Sequence, residues 1–214
     1  MSRILPLLLL ALSAVIGPVN AEVAENEWSI RPLMPGAEAP AFEATAADGS
    51  TFAFDPKALE RPALFVFYRG GWCPYCNLHL AELRHIEDDL KAAGVDLIFL
   101  SADSPEVIAE AVEDGEALSY TLLSDATAEA AQAFGISFQV PGATVVRLRE
   151  RGIVDMQPVS GTTDVFALPA PATYLVGTDG IIKFSFVNPD YKVRVSNEVL
   201  LAAAQTMPER VIRR

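Results

Sequence analysis

The sequence predicts an α/β fold in which helices flank a central mixed sheet. The apolar run ALFVFY, residues 63–68, is typical of a strand buried on both faces. An amphipathic helical pattern follows it, and further strands and helices alternate after that, which indicates βαβ units with parallel strands. Two hairpin patterns, one near each end of the chain, add further strands to the predicted sheet.

The first half of the domain follows this order. Residues 41–45 and 51–54 form the first predicted hairpin, around the turn residues Asp48-Gly49-Ser50. After the buried strand, apolar residues recur every three or four positions from residue 74 to about residue 93, and this periodicity predicts one amphipathic helix that ends at Gly94.

The second half begins with another buried strand, VDLIFLS. Ser104 then caps a predicted helix that starts at Pro105, and the short strand YTLLSD precedes a helix that ends at Gly135. Residues 136–169 are too long for an ordinary loop and are interpreted as an insertion. The segment PATYLVGTDGIIKFSFV predicts the last hairpin, and SNEVLLAAAQTM predicts the last helix.

The amino terminus has the pattern of a secretory signal. Arg3 precedes an apolar run over residues 4–16, and Val19-Asn20-Ala21 resembles a cleavage site. The run is shorter than the roughly 20 residues that span a bilayer, so we expect no membrane segment after cleavage. The predicted organisation is a signal over 1–21, a flexible segment over 22–32 and one domain over 33–214, in an exported protein that is periplasmic or secreted.

The charge of the chain argues against one class of partner. The formal net charge is −12, and no cluster of lysine and arginine interrupts the acidic composition. Such a surface repels phosphate backbones and anionic lipids, so we expect no nucleic-acid partner.

The chain's two cysteines, Cys73 and Cys76, lie where the buried strand gives way to a helix. Free N–H groups and the helix dipole favour a thiolate at that position, and Pro74 suits the first helical turn. Such cysteines have a pKa of about 3.5–7.5, and the thiolate is the reactive species. Two cysteines three residues apart can also close a disulfide, although so short a loop contributes little to stability.

Other interpretations of the pair are weaker. Two inert core cysteines are one alternative. A metal site made of Cys73, Cys76 and His79 is another, since thiolate and imidazole bind zinc and copper. Haem attachment is excluded because Asn77, and not a histidine, follows the second cysteine.

The segments GAEAPAFEATAADGSTFAF, FYRGGWCPYC and PATYLVGTDGIIKFSFVNPDY resemble the peroxiredoxin-like proteins, also called alkyl hydroperoxide reductase and thiol-specific antioxidant proteins. This resemblance covers roughly residues 33–204 and implies a thioredoxin-like fold. The Cys-Pro-Tyr-Cys tetrad also resembles glutaredoxin.

Two alignments with the redoxins compete. The peroxiredoxin pattern Pro-x-x-x-Thr-x-x-Cys places Cys76 at the peroxide-attacking position, with Arg69 in place of its proline and Cys73 in place of its threonine. The arginine of that family would fall on Pro171. The thioredoxin pattern instead makes Cys73 the nucleophile, Cys76 the resolving thiol and Pro171 a cis-proline, with Trp72 in the matching position.

The resemblance implies a thiol oxidoreductase that reduces hydroperoxides through a Cys73 and Cys76 cycle, with no bound cofactor or metal and with an exported dithiol reductant. Exchange with protein disulfides is the alternative activity, and metal binding is a third. Arg69 is the candidate that stabilises the leaving oxygen. We expect Trp72 to cover the disulfide and Tyr75 to shape the rim of the active site.

Overall fold

A seven-stranded mixed sheet forms the centre of the computed structural model, which describes residues 22–113, 120–151 and 156–206. The predicted signal, residues 1–21, and the carboxyl end, residues 207–214, lie outside these ranges. The strands of this sheet are β1 (Phe42–Ala46), β2 (Thr51–Phe54), β3 (Ala63–Tyr68), β4 (Asp96–Ser101), β5 (Thr121–Ser124), β8 (Ala172–Val176) and β9 (Ile182–Val187). Their order is β2-β1-β5-β4-β3-β8-β9.

Strands β3, β4 and β5 are parallel, and the outer pairs are antiparallel. The helices are α1 (Pro74–Arg84), α2 (Glu87–Ala92), α3 (Pro105–Glu113), α4 (Glu129–Ala133), α5 (Gly142–Glu150) and α6 (Asn197–Thr206), and Pro56–Ala58 forms a 3₁₀ turn. The predicted mixed α/β fold is therefore confirmed, and both hairpins lie where the sequence predicts them.

The central strand β3 is buried along its whole length and separates two cores. Phe65 and Phe67 face a core that includes Phe134 and the amino-terminal hairpin. Leu64, Val66 and Tyr68 alternate to the other side, as strand geometry requires. There they pack with α1, α2 and α6 in a cluster that contains both cysteines. Both cysteines therefore belong to a packed core.

The predicted helix over residues 74–93 is two helices, which corrects the sequence-based prediction. Helix α1 ends at Arg84, where the His85 N–H donates to the Glu82 carbonyl and the Ile86 N–H to the Leu83 carbonyl, both in the tighter i→i+3 pattern. Ile86 remains buried, so the apolar periodicity continues through a break that it does not reveal.

Residues 136–169 contain β6 (Ser137–Gln139), α5 and β7 (Ala167–Pro169), and β6 pairs with β7 in a separate small sheet. The segment 22–32 lies against β6, since the Ala24 N–H donates to the Ser137 carbonyl and the Ala24 carbonyl accepts from the Gln139 N–H. The flexibility of 22–32 and the inserted character of 136–169 stay predictions. No helix within the described ranges has the length and apolar character needed to cross a bilayer.

Candidate active site

Cys73 and Cys76 lie at the carboxyl end of β3, where the chain enters α1. Cys73 is the N-cap residue and Pro74 the first residue of the helix, as the sequence predicts. The Cys73 carbonyl accepts from the N–H groups of Cys76 at 3.0 Å and Asn77 at 3.1 Å. Both cysteines are free thiols, and each is at most 1% exposed. Neighbouring groups therefore cover both cysteines almost completely.

The Cys73 sulfur is in an environment that favours a thiolate. The neighbouring Cys76 thiol, as hydrogen-bond donor, is the largest cause that lowers the pKa of Cys73 to about 6, against the opposing effect of burial. The N–H groups of Tyr75 and Cys76 and the charge of Arg69 act in the same direction, although no capping hydrogen bond reaches the sulfur. Part of the Cys73 population is therefore ionised at neutral pH.

The Cys76 sulfur lies one turn further into the helix and keeps its proton. The hydrogen bond between the two thiols is the largest cause that raises the pKa of Cys76 well above its ordinary value, and burial acts in the same direction. The backbone N–H of Arg69 and, less strongly, the charge of Arg194 oppose this effect. Arg194 Nη2 donates to Cys76 Sγ at 3.6 Å. The Nη1 of Arg194 is held by the carbonyls of Tyr191 and Val193. The loop after β9 thus aims a guanidinium at the second cysteine.

Arg69 lies between two aromatic rings beside the pair. Its guanidinium carbon is 4.9 Å from the Trp72 ring centroid and 4.4 Å from that of Tyr191. The Tyr191 ring also meets Tyr75 edge-on, with centroids 5.6 Å apart. Arg69 Nε and Arg194 Nε are both buried and have no hydrogen-bond partner in the described part of the chain. Two cationic groups with unused donors therefore flank the dithiol.

The turn before Cys73 is held by a buried carboxylate. Asp103 Oδ2 accepts from the Gly71 N–H at 2.8 Å and from Ser101 Oγ at 3.0 Å, and burial raises the pKa of Asp103. Gly70 has φ +144°, and a Cβ there would lie 2.4 Å from Trp72 Nε1 and 2.5 Å from Asp103 Oδ1. The turn therefore requires glycine.

Pro171 is buried directly before β8, whose Ala172 pairs with Phe67 near the end of β3. The Ala170–Pro171 bond is trans, so the predicted cis-proline is wrong. Trans is the lower-energy isomer, and here the flanking backbone groups are satisfied: the Ala170 N–H donates to the Ile136 carbonyl, and the Pro171 carbonyl accepts from Asn188.

The alternative metal site is not assembled. Within residues 22–113, 120–151 and 156–206, no group of three histidine, cysteine or acidic side chains is placed to hold an ion. His79 is 4% exposed, and burial, with a smaller effect of the Arg194 charge, lowers its pKa to about 4. The same guanidinium donates to Cys76 Sγ, so a positive charge lies close to two of the three predicted ligands.

Sequence reasoning missed three residues that the fold brings to the dithiol: Tyr191, Arg194 and Asp103. The first two lie in the segment NPDYKVRV, between the last predicted hairpin and the last predicted helix, where the sequence predicts no element. An arginine in a loop is usually solvated, and no local pattern connects it to the cysteines. Asp103 follows the carboxyl end of β4, which is parallel to β3, and that placement was an available signal.

Comparison with known proteins identifies a matching family, similar sequences and similar folds. Residues 35–185 match the model of the AhpC/TSA family. The chain belongs to this family. The AhpC/TSA chain is 35% identical over 107 residues to peroxiredoxin Bcp of Escherichia coli strain K12, over 50% of its own length and 67% of the relative's. It is 25% identical over 108 residues to the thiol-disulfide oxidoreductase ResA of Halalkalibacterium halodurans, over 50% of its own length and 60% of the relative's.

Among solved structures, the fold of this AhpC/TSA protein is similar to that of peroxidoxin BcpB from Mycobacterium tuberculosis. The TM-score is 0.61 at 17% sequence identity, over 83% of this chain and 99% of the other. The predicted thioredoxin-like fold is confirmed, and so is the prediction of a peroxiredoxin-like, thiol-dependent enzyme.

Proposed function

We propose that the protein reduces hydroperoxides, with Cys73 as the attacking thiolate and Cys76 as the resolving thiol. The observation that carries this assignment is the position of Cys73 at the N-cap of α1, where its pKa is lowered to about 6 while that of Cys76 is raised. A thiolate is the nucleophile toward peroxides, so the cysteine that ionises first is the better attacking group.

The cycle has three steps. The Cys73 thiolate attacks the terminal oxygen of ROOH, the O–O bond breaks, and RO⁻ takes a proton and leaves as ROH. The Cys76 thiol then attacks the Cys73 sulfenic acid, an S–S bond forms, and hydroxide leaves with the thiol proton as water. A dithiol reductant finally supplies two electrons, becomes a disulfide itself and restores both thiols.

The two arginines are suited to the charges that develop in this cycle. The charge of Arg69 helps to lower the pKa of Cys73, and its buried Nε is available to the oxygen that leaves as the O–O bond breaks. Arg194 contacts Cys76 Sγ and stabilises negative charge there during disulfide formation. In the peroxiredoxin alignment the family arginine falls on Pro171. We infer that Arg194 supplies the missing positive charge from a different part of the chain.

Single-cysteine variants test which sulfur attacks. Reduced Cys76→Ser should consume one equivalent of hydrogen peroxide and stop at a sulfenic acid on Cys73, which dimedone traps and intact mass detects. Cys73→Ser should react at least about a hundredfold more slowly, because the remaining thiol is protonated. Rapid sulfenic acid formation on Cys76 in Cys73→Ser would instead support the peroxiredoxin alignment and refute the proposed order.

Thiol-disulfide exchange is the second candidate function. The Cys-Pro-Tyr-Cys tetrad, which resembles glutaredoxin, and the partial similarity to ResA favour it. The same Cys73 thiolate would attack a protein disulfide and pass through a mixed disulfide that Cys76 resolves. Reduction of insulin with dithiothreitol as electron source, compared with peroxide consumption under the same conditions, separates the two activities.

Export is part of the proposal as well. The amino-terminal pattern supports an exported protein, periplasmic or secreted, whose dithiol reductant is also outside the cytosol. Expression of the full chain with a carboxyl-terminal tag, followed by fractionation and mass measurement of the mature amino terminus, tests both export and cleavage after Ala21. Retention of an uncleaved chain in the cytosolic fraction would contradict it.

A further inference from the structure

An exposed apolar surface borders the dithiol. We define the rim patch as Tyr75, Leu78, Tyr191, Lys192 and Val193. Leu78 is 61% exposed, although it is aliphatic, and Tyr75, Tyr191 and Val193 are 36–42% exposed. Leu78 follows Tyr75 by three residues on α1, so the two share a helix face. The edge contact of Tyr75 with Tyr191 joins this face to the loop after β9.

The rim patch is also locally cationic on an acidic protein. Lys192 Nζ lies 5.9 Å from the Tyr75 ring centroid and 5.8 Å from that of Tyr191. The guanidinium of Arg69 lies 4.4 Å from the Tyr191 ring centroid, and that of Arg194 donates to the Tyr191 carbonyl. The acidic neighbours are Asp190, which accepts from the Lys192 N–H, and exposed Glu82, one turn beyond Leu78. A net charge of −12 would repel an acidic partner elsewhere, so this face is where such a partner can approach.

We propose that the rim patch is the docking surface for an acidic dithiol protein that reduces the Cys73–Cys76 disulfide. The inference rests on the proposed disulfide cycle. Its support is the position of the patch: Tyr75 stands between the two cysteines in the chain, so a protein seated on Tyr75 and Leu78 brings its own thiol to them. Exposed apolar side chains give such a partner contact area, and Lys192 gives it charge complementarity.

Two substitutions remove these properties without touching the dithiol. Leu78→Glu places a charge at the most exposed apolar position of the rim patch, and Lys192→Glu reverses its cation. The matched control is Met34→Glu, since Met34 is 67% exposed. Met34 lies at the end of the sheet opposite to the dithiol, two residues before Gly36. The Gly36 N–H donates to the Ile182 carbonyl at the start of β9.

The test uses the protein with its disulfide preformed by diamide, so that it does not depend on peroxide chemistry. Reduced Escherichia coli thioredoxin is the protein probe and dithiothreitol the small probe, and Trp72 fluorescence follows reduction. We expect each rim variant to lower the second-order rate constant with thioredoxin by about tenfold, which corresponds to about 1.4 kcal/mol. The rate with dithiothreitol and the behaviour of Met34→Glu should remain within about twofold.

The salt dependence separates charge from shape. The loss in Lys192→Glu should be larger at low ionic strength than at about 1 M salt, where the screening length is about 3 Å. The docking proposal would be overturned if the rim variants lowered the rate constants with thioredoxin and dithiothreitol equally, or lowered neither. It would also be overturned if thioredoxin reduced the wild-type disulfide no faster than dithiothreitol does. Failure of the proposed function would give a different result: the protein would not consume peroxide when dithiothreitol is the reductant.

Discussion

Arg194 donates to the sulfur of Cys76 at 3.6 Å across a separation of 118 residues. Its other contacts are backbone carbonyls of its own loop, and the structure shows no carboxylate paired with it within the described residues. A half-buried cation that donates to a sulfur, and has no acidic partner among the described residues, is well placed to stabilise a thiolate. The contact therefore connects the loop after β9 to the chemistry of the dithiol.

Substitution of Arg194 should slow the step in which Cys76 attacks. Arg194→Ala removes a charged donor, a contribution of about 1.5–3 kcal/mol, so the closing of the disulfide after oxidation should slow by about 10–100-fold. Arg194→Lys keeps the charge and should recover part of the rate. Rapid-quench mass spectrometry that follows sulfenic acid and disulfide separately is the measurement. A rate of disulfide formation in Arg194→Ala equal to that of the wild type would contradict this role.

Peroxide oxidation should depend on pH through Cys73. Because its pKa is lowered to about 6, the thiolate fraction rises as pH increases through that value and saturates above it. The second-order rate constant with hydrogen peroxide should rise about tenfold per pH unit well below 6 and level off above about 7. Stopped-flow fluorescence on reduced protein gives this profile. A midpoint near 8.5, the value of an ordinary cysteine, would show that neither the Cys76 thiol nor the other groups around the sulfur activate Cys73.

Gly70 should be far less tolerant of substitution than Gly49. Both have positive φ, +144° and +79°, so alanine strains the backbone at either position. A Cβ at Gly70 also collides with Trp72 and Asp103, whereas nothing lies within 4 Å of one at Gly49. Gly70→Ala should therefore lose stability beyond the roughly 1–3 kcal/mol of backbone strain and also slow oxidation of Cys73.

Urea unfolding and peroxide kinetics of both alanine variants check this comparison, and Gly49→Ala is the matched control. Equal losses of stability in the two variants, with unchanged oxidation rates, would mean that the contacts around Gly70 do not position the site.

Buried His79 should make the protein less stable in mild acid. Its folded pKa of about 4 is below the unfolded value of about 6.5, so between these values the unfolded chain binds a proton that the folded chain excludes. Stability is therefore lost as pH falls from about 6.5 toward 4, by on the order of 2 kcal/mol at pH 5. The variant His79→Leu should lose less stability than the wild type between pH 7.5 and 5.

Urea denaturation at the two pH values measures this difference, and carboxylates contribute alike to both proteins. The control is His85→Leu, at the exposed C-cap residue that follows α1. If His79→Leu and the wild type lose the same stability on acidification, the histidine is protonated in the folded state.

The local elements of this fold could be predicted from the sequence because each has a local cause. The strand β3 is a continuous apolar run, and the first hairpin turns at Gly49, which has the positive φ that such turns need. The position of Cys73 at a helix terminus follows from the strand before it and Pro74 after it. The break after Arg84 could not be predicted, because Ile86 keeps the apolar period of one continuous helix.

The remainder of the site depends on tertiary contacts that no short pattern contains. Arg194 and Tyr191 reach the dithiol because α6 and the loop before it pack beside α1, where Asn197 Nδ2 donates to the Glu82 carbonyl at 2.8 Å. Pro171 illustrates the opposite error. A match to a motif predicted a cis bond, but the backbone partners around a proline select its isomer, and here they are compatible with trans.

The most direct test of the account is the reaction of reduced, metal-free protein with hydrogen peroxide, followed by Trp72 fluorescence, with peptide mapping of the product. The account predicts second-order oxidation much faster than that of a free thiol at the same pH, and a product with one Cys73–Cys76 disulfide per chain. Oxidation no faster than that of a free thiol would contradict peroxidase chemistry at this site.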